Sequence, residues 1–117
     1  IWETIMASYK FKLDNLVAII DNNKIQLDGR TEEIMPIKNL KGIIENFGWE
    51  VCECDGHNFE DIDKAFKLLE NKNGLPKMII ANTIKGKGVS FMEDKIEWHG
   101  VAPNKEQLEQ AKKEILG

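Results

Sequence analysis

Three short apolar runs alternate with segments of helical periodicity, and this alternation limits the possible folds more than any other feature of the sequence. The run LVAII at Leu16–Ile20 is continuous and β-branched, which predicts a strand buried on both faces. WEVCEC at Trp49–Cys54 alternates as a strand does, and KMIIANT at Lys77–Thr83 predicts a third strand. Strands that alternate with helices favour a parallel sheet with right-handed crossovers, so the sequence predicts an α/β protein.

Four segments carry apolar residues at three- and four-residue steps and are predicted to be amphipathic helices. The residues that set these periods are Trp2, Ile5, Met6, Tyr9 and Leu13; Ile37, Leu40, Ile43, Ile44 and Phe47; Phe59, Ile62, Ala65, Phe66 and Leu69; and Leu108, Ala111 and Ile115. Gly48 is predicted to end the second helix, and Asn58 and Asn104 are predicted to cap the third and fourth. Asp61 is predicted to act with Asn58 in a capping box.

Two segments show no such period. Thr31–Pro36 is predicted to be a loop, because a proline disfavours the helical conformation in the residue before it. Residues 84–103 contain three of the nine glycines and no apolar repeat. Loops of that length in a compact chain are usually functional or disordered, and we expect this one to be either.

Composition and charge argue against several classes of protein. The 117 residues are 42% apolar and 31% charged, which is typical of one globular domain with a real core. A net charge of −4 argues against a nucleic-acid-binding surface, and no apolar run reaches the roughly 18 residues that span a bilayer. Nothing in the sequence resembles a signal peptide. Cys52 and Cys54 form a single C-x-C pair, which is a poor metal signal, so we expect reduced thiols in a cytoplasmic protein without nucleic-acid or membrane partners.

Polar residues follow the first predicted strand in the phrase IIDNNKIQLDG. Ligands of open parallel sheets gather at the carboxyl ends of the strands. An amide oxygen of Asn23 and a main-chain oxygen of Ile25, two positions later, are hard neutral donors that suit Mg²⁺ or Ca²⁺, and Mg²⁺ usually binds together with phosphates. On spacing alone, however, an Asx-type turn that holds no metal is the better interpretation.

Three longer phrases add a family resemblance: LDNLVAIIDNNKIQLDG, FGWEVCECDGHNFEDIDKAF and TIKGKGVSFMEDKIEWHGVAPN. In this order they resemble the diphosphate-binding domain of the transketolase family, and most of all the separate amino-terminal subunit of some bacteria and archaea. The resemblance runs along essentially the whole chain. It implies a three-layer α/β/α sandwich with a mainly parallel sheet, the thiamine-diphosphate-binding fold, of which residues 1–117 would be the carboxy-terminal part.

The resemblance also implies an activity and its site. The parent protein would move a two-carbon ketol unit from a ketose phosphate to an aldose phosphate, with thiamine diphosphate and Mg²⁺ (or Ca²⁺) as cofactors. Asn23 and Ile25 would be metal ligands, and Leu27 would lie close to the cofactor. His99 would contact the diphosphate and take part in catalysis at the reacting end of the substrate. Glu3 would lie at the interface of a homo- or hetero-oligomer.

The chain departs from the family pattern in what it lacks. The Gly-Asp-Gly motif, whose carboxylate would complete the metal site, should lie a few residues before Ile1, so we expect a truncated chain. The pyrimidine-binding domain is also missing, and the carboxy-terminal section or subunit of transketolase is therefore the expected partner. Alone, the chain is expected to bind the cofactor weakly or not at all and to be inactive.

Several alternatives stay open at this point. The parent could be a related thiamine-diphosphate enzyme, namely deoxyxylulose-phosphate synthase or a dehydrogenase E1 component, although the ending Trp-His-Gly-x-Ala-Pro favours transketolase. A non-catalytic flavodoxin-like fragment that binds a nucleotide, or an inactive folding unit, would fit the same elements. Lys85 and Lys87, which match the loop that enters the site, could contact phosphate or belong to a solvated basic loop. His57 is predicted to shape the turn before the third helix.

Overall fold

The structure is a computed structural model that describes residues 1–117, and they form two compact units. The first unit comprises Ile1–Asn22 and Lys38–Asn82, and the second comprises Asn23–Ile37 and Thr83–Gly117. The elements in chain order are α1 (Trp2–Lys10), β1 (Val17–Asn22), β2 (Ile25–Gln26), β3 (Gly29–Arg30), α2 (Thr31–Ile34), α3 (Leu40–Asn46), β4 (Glu50–Asp55), α4 (Phe59–Leu68), β5 (Lys77–Asn82), a 3-10 helix (Ile96–His99) and α5 (Lys105–Leu116). None of the helices is both long enough and apolar enough to cross a membrane.

The three long strands form one parallel sheet in the order β1-β5-β4, which confirms the predicted α/β class. The central strand β5 is buried over its first four residues. By contrast, β1 is an edge strand of this sheet, and Ile19 on it is 58% exposed. The prediction that Leu16–Ile20 is buried on both faces is therefore wrong. The last strand in sequence inserts between the other two, which leaves β1 with one neighbour.

Helices cover both faces of the sheet, as expected for a three-layer α/β/α arrangement. One core cluster, on the side of α1 and α3, contains Ile5, Ile44, Trp49, Met78 and Ile80. The other cluster, on the side of α4, contains Cys54, Ala65, Leu69 and Ile79. Successive side chains of β5 thus pack into opposite core clusters, because side chains alternate between the two faces of a strand.

The helix ends follow local signals in the sequence. Gly48 ends α3 as predicted: its φ is +85°, its backbone N–H donates to the carbonyl of Glu45 at 2.9 Å, and a Cβ there would lie 2.4 Å from the ring of Tyr9. Asn58 caps α4, since its side-chain oxygen accepts hydrogen bonds from the first turn. The predicted capping box is wrong, because the carboxylate of Asp61 accepts from the backbone of an earlier residue, at the end of β4.

The second unit contains a short antiparallel hairpin formed by β2 and β3 (residues 25–30), which the sequence did not predict. The predicted loop at Thr31–Pro36 begins with the single helical turn α2. The predicted loop at 84–103 contains the 3-10 helix and many internal hydrogen bonds, so it is an ordered segment. Asn104 caps α5 in a complete capping box with Gln107.

A buried lysine anchors the amino end of the central strand. The side chain of Lys77 is 0% exposed, and its ammonium group donates to the carboxylate of Glu50 at 2.6 Å and to the amide oxygen of Asn73 at 2.7 Å. A third hydrogen bond goes to the amide oxygen of Asn71, so all three ammonium hydrogens have acceptors. The hydrogen bond from Lys77 holds the pKa of Glu50 below its usual range. The cluster ties residues 71–76 to both β4 and β5.

Replacing Lys77 by methionine is expected to lower the free energy of unfolding by about 2–3 kcal/mol, because it leaves Glu50 without its cation in a partly buried site. Glu50 is 31% exposed, which keeps the cost below that of a completely buried pair. The matched control is Lys67→Met, which removes an exposed ion pair with Asp63 on α4. Urea unfolding would measure the free energy of unfolding of both variants. An equal decrease in the two would contradict the burial of the Lys77 side chain.

Candidate functional site

Asn23 and Ile25 adopt the geometry of an Asx turn. The side-chain oxygen of Asn23 accepts a hydrogen bond from the backbone N–H of Ile25 at 2.9 Å. Lys24 between them has φ +63°, and its carbonyl accepts from the backbone N–H of Thr31 at 3.0 Å. An amide oxygen carries two lone pairs, so this turn is compatible with a metal ligand at the same atom. The two interpretations of the segment, a turn and a pair of donors, therefore do not exclude each other.

The hairpin presents an apolar side chain at its tip. Ile25 pairs with Arg30 and Gln26 pairs with Gly29, so Leu27 and Asp28 form a two-residue turn. Ile25 is buried, whereas Leu27 is 63% exposed. A hairpin with this pattern is held by its base and leaves its tip accessible. Leu27, which the resemblance assigns to cofactor contact, is therefore positioned where a ligand could reach it.

The segment that follows β5 closes on itself; residues 84–95 are called the Lys-Gly loop below. The backbone N–H of Asp94 donates to the carbonyl of Lys85 at 2.8 Å, which joins the two ends of the loop. Gly86 lies within it with φ +70°, and a Cβ at this position would lie 2.7 Å from the carbonyl oxygen of Met92. Glycine is therefore required at position 86 both by backbone conformation and by close approach.

The two lysines of the loop are engaged by neighbouring groups. The ammonium of Lys85 donates to the carbonyl of Trp98 at 3.4 Å, and the ammonium of Lys87 forms an ion pair with Glu93 at 3.1 Å. The side chain of Lys87 is also 47% exposed, so the ion pair leaves it in contact with solvent. The contact of Lys85 connects the Lys-Gly loop to the 3-10 helix.

His99 is the exposed last residue of the 3-10 helix. The preceding Trp98 donates its indole N–H to the carbonyl of Phe91 at 2.8 Å, and the two rings lie 5.2 Å apart. The same helix contacts β2. The structure thus brings the helix of His99 and the strand of Ile25 together within the second unit, although the two residues are far apart in sequence.

An ion pair that sequence reasoning missed joins the hairpin to the Lys-Gly loop. The guanidinium of Arg30 binds the carboxylate of Asp94 through two hydrogen bonds, of 2.7 and 2.6 Å. These bonds hold the pKa of Asp94 below its usual range and raise the pKa of Arg30. The available signal was compositional: Arg30 is the only arginine in the sequence, and arginine suits bidentate binding of a carboxylate better than lysine does.

The carboxyl ends of the long strands gather polar groups in the first unit, as the sequence predicts. The side-chain amide of Asn22 donates to the side-chain oxygen of Asn82 at 2.8 Å, and the carbonyl of Asn82 accepts from Gly56 at 2.8 Å. The backbone N–H of His57 donates to the carboxylate of Asp55 at 2.9 Å, so His57 lies in a turn, as predicted. Parallel strands bring these three strand ends to one edge of the sheet.

The donor chemistry of the chain fits a shared site for a hard cation. No group of three or more His, Cys, Asp or Glu residues is arranged to hold a metal ion. Both cysteines are free thiols whose pKa is raised by burial, which disfavours the thiolate that would bind a metal. Neutral oxygens of Asn23 and Ile25 suit Mg²⁺ or Ca²⁺ but supply two of the six or more ligands that these ions take. Glu3 is exposed in the first turn of α1, and its role at an interface stays a prediction.

Substitution of Gly86 by alanine is expected to open the Lys-Gly loop. The new methyl group would collide with the backbone of Met92, and this overpacking is expected to cost about 1–3 kcal/mol. The left-handed backbone conformation at position 86 is expected to cost an alanine roughly 1–2 kcal/mol more. Gly88→Ala is the matched control, because Gly88 also has a positive φ but has nothing within 4 Å of the added Cβ. Hydrogen exchange at the amide of Asp94 reports the opening. Equal exchange rates in the two variants would contradict the close approach.

Comparison with protein families gives a match along almost the entire chain. Residues 2–117 match the family described as the thiamine diphosphate binding domain of transketolase. Over 115 residues the chain is 44% identical to one of the subunits of apulose-4-phosphate transketolase from Phocaeicola vulgatus, a match that covers 98% of this chain and 41% of that protein. Over 119 residues it is 38% identical to human transketolase and covers 18% of it. The chain thus spans less than half the length of these relatives.

Solved structures give the same result for the fold. The transketolase structure from Campylobacter jejuni superposes with a TM-score of 0.87 at 32% identity, over 96% of this chain and 17% of that one. The structure of transketolase from Leishmania mexicana superposes with a TM-score of 0.86 at 25% identity, over 96% of this chain and 17% of that one. The α/β architecture derived from the strands and helices is therefore the architecture of the corresponding transketolase segment.

Proposed function

This chain belongs to the transketolase family, as part of its thiamine diphosphate binding domain, and we propose that it supplies the diphosphate- and metal-binding part of a ketol-transferring enzyme. The whole protein would transfer a two-carbon ketol unit from a ketose phosphate to an aldose phosphate. The observation that carries the proposal is the family match along residues 2–117, which includes every residue assigned to the cofactor. This match argues against a flavodoxin-like nucleotide-binding fragment.

In the proposed site this chain contributes two neutral oxygen ligands. The side-chain oxygen of Asn23 and the carbonyl oxygen of Ile25 would hold Mg²⁺, with Ca²⁺ as the alternative ion. The Asx turn at this position supports the assignment, because it fixes the amide oxygen beside the main chain of Ile25. Neutral donors leave the charge of the cation to be balanced by diphosphate oxygens, so binding of metal and of thiamine diphosphate would depend on each other.

The remaining residues would orient the reactants. The cofactor, when bound, supplies the nucleophilic carbon of the transfer, and the protein supplies binding, orientation and electrostatics. Leu27 would give the cofactor an apolar contact. His99 would donate a hydrogen bond to the diphosphate and exchange a proton with an oxygen of the substrate, a role that imidazole performs near neutral pH.

The partners and substrates follow from the same proposal. A carboxy-terminal transketolase section or subunit would complete the active site, with oligomer contacts in the region of Glu3. Two relatives support a divided enzyme, because each is named as one subunit of a transketolase, for apulose-4-phosphate and for 6-deoxy-6-sulfo-D-fructose respectively. Sugar phosphates are the proposed substrates, and the cytoplasm is the proposed location.

Asn23→Leu in the full-length protein with its partner section is expected to abolish metal-dependent binding of thiamine diphosphate, because leucine removes the ligand oxygen. Asn23→Asp keeps an oxygen donor and is expected to retain binding. Asn22→Ala, at the neighbouring position, controls for local disruption. Calorimetric titration with thiamine diphosphate and Mg²⁺ measures all three, and undiminished binding by Asn23→Leu would show that the assignment is wrong.

His99→Gln is expected to reduce kcat of ketose-phosphate turnover by roughly 10²–10⁴-fold, the usual contribution of a general acid or base. The other histidine of the chain provides the control, because His57 lies in a turn at the end of β4 and is expected to tolerate the same substitution. Turnover is followed with a ketose phosphate donor and an aldose phosphate acceptor. Loss of activity in His57→Gln but not in His99→Gln would reverse the assignment.

A further inference from the structure

The Arg30–Asp94 ion pair connects the two segments of the second unit that carry the proposed cofactor residues. Its two hydrogen bonds are short and join two guanidinium nitrogens to the two carboxylate oxygens, which is the strong bidentate form of an arginine–carboxylate contact. The side chains are 35% and 49% exposed, and exposed ion pairs contribute little to global stability. A role in holding local geometry therefore explains the pair better than a role in overall folding does.

On the hairpin side, Arg30 is fixed to the proposed metal-binding turn. Its backbone pairs directly with Ile25 across the hairpin. The next residue, Thr31, donates its backbone N–H to the carbonyl of Lys24 at 3.0 Å, inside the Asx turn. A displacement of the Arg30 backbone would therefore be transmitted to the main-chain oxygen of Ile25.

On the loop side, Asp94 is fixed to the segment that leads to His99. Its backbone N–H donates to the carbonyl of Lys85 at 2.8 Å, and its φ of +58° marks a sharp turn there. The side chain of Lys85 in turn reaches the carbonyl of Trp98, the residue before His99. Asp94 thus lies at the junction of the Lys-Gly loop and the 3-10 helix.

We propose that Arg30 and Asp94 are positioning residues of the cofactor site, whose ion pair holds the hairpin and the Lys-Gly loop in one fixed arrangement. The inference rests on the proposed function, because it takes Asn23, Ile25 and His99 as the groups to be aligned. Groups that are misaligned in the cofactor-free protein must be realigned when the cofactor binds, and the free energy that this costs lowers the affinity for the cofactor. The only arginine of the chain makes this contact, and its planar guanidinium suits a carboxylate that must be held by two hydrogen bonds.

The test uses the full-length protein with its partner section and four variants: Arg30→Gln, Arg30→Lys, Asp94→Asn and the exchanged pair Arg30→Asp/Asp94→Arg. The first three are expected to raise the Kd for thiamine diphosphate about tenfold at saturating Mg²⁺. Arg30→Lys is expected to have the same effect, because lysine keeps the positive charge but lacks the planar guanidinium that makes two hydrogen bonds with one carboxylate. At saturating cofactor kcat should stay within about twofold, since the residues do not touch the reacting atoms. The exchanged pair is expected to recover part of the affinity.

A second readout does not depend on activity. Hydrogen exchange at residues 23–30 and 84–95 of the cofactor-free protein is expected to accelerate together in Arg30→Gln and in Asp94→Asn, while the melting temperature changes little. Lys112→Gln is the matched control, because it removes an exposed ion pair of similar length, with Glu109 at 2.8 Å, elsewhere in the same unit. It is expected to leave exchange in both segments and the Kd unchanged.

Each outcome decides between the possibilities. Equal cofactor binding and equal exchange in wild type and Arg30→Gln would overturn the positioning role while leaving the proposed function intact. Global unfolding of Arg30→Gln would also overturn it, since the pair would then be structural. A wild-type protein that bound no thiamine diphosphate would refute the proposed function, and the positioning role with it. The proposal is supported if Arg30→Gln and Asp94→Asn both weaken the binding of thiamine diphosphate and accelerate hydrogen exchange at residues 23–30 and 84–95, while kcat is preserved.

Discussion

Parallel pairing of β5 between β1 and β4 is the constraint on which the first unit depends. It buries successive residues of β5 in two separate cores, and it places the three strand ends at a single edge of the sheet. The buried ammonium of Lys77 secures the opposite end of the same strand through three oxygen acceptors. Apolar packing and this polar anchor together hold β5 in place, and after Asn22 and Asn82 the chain continues into the second unit.

In the second unit, short-range hydrogen bonds hold the segments that carry the proposed cofactor residues. The Asx turn at Asn23, the two-residue hairpin and the closed Lys-Gly loop are each held by contacts of a few atoms. Such segments have little buried apolar area, so their geometry depends on single polar contacts such as the Arg30–Asp94 pair. A site built in this way can place oxygen donors for a cation without burying a charge of its own.

Sequence periodicity was sufficient for the long elements and insufficient for their arrangement. The end of α3 at Gly48 and the cap of α4 at Asn58 follow from local backbone chemistry and were predicted. The central position of β5 in the sheet was not predicted, because the order of strands depends on contacts between segments that are distant in the sequence. Strands of two residues show no period, so the hairpin also escaped prediction. Asn23 and Ile25 were singled out by spacing, but spacing alone could not distinguish a turn from a ligand pair, and the structure contains the turn.

The central claim is that the Asn23 side chain and the Ile25 carbonyl face one divalent ion together with thiamine diphosphate. Replacement of Mg²⁺ by paramagnetic Mn²⁺ tests it most directly, because relaxation enhancement falls steeply with distance from the ion. In the full-length protein with its partner section and cofactor, the NMR signals of residues 23–27 should broaden strongly with Mn²⁺, relative to the same sample with Mg²⁺. Sharp signals at residues 23–27 under saturating Mn²⁺ and cofactor would contradict the claim.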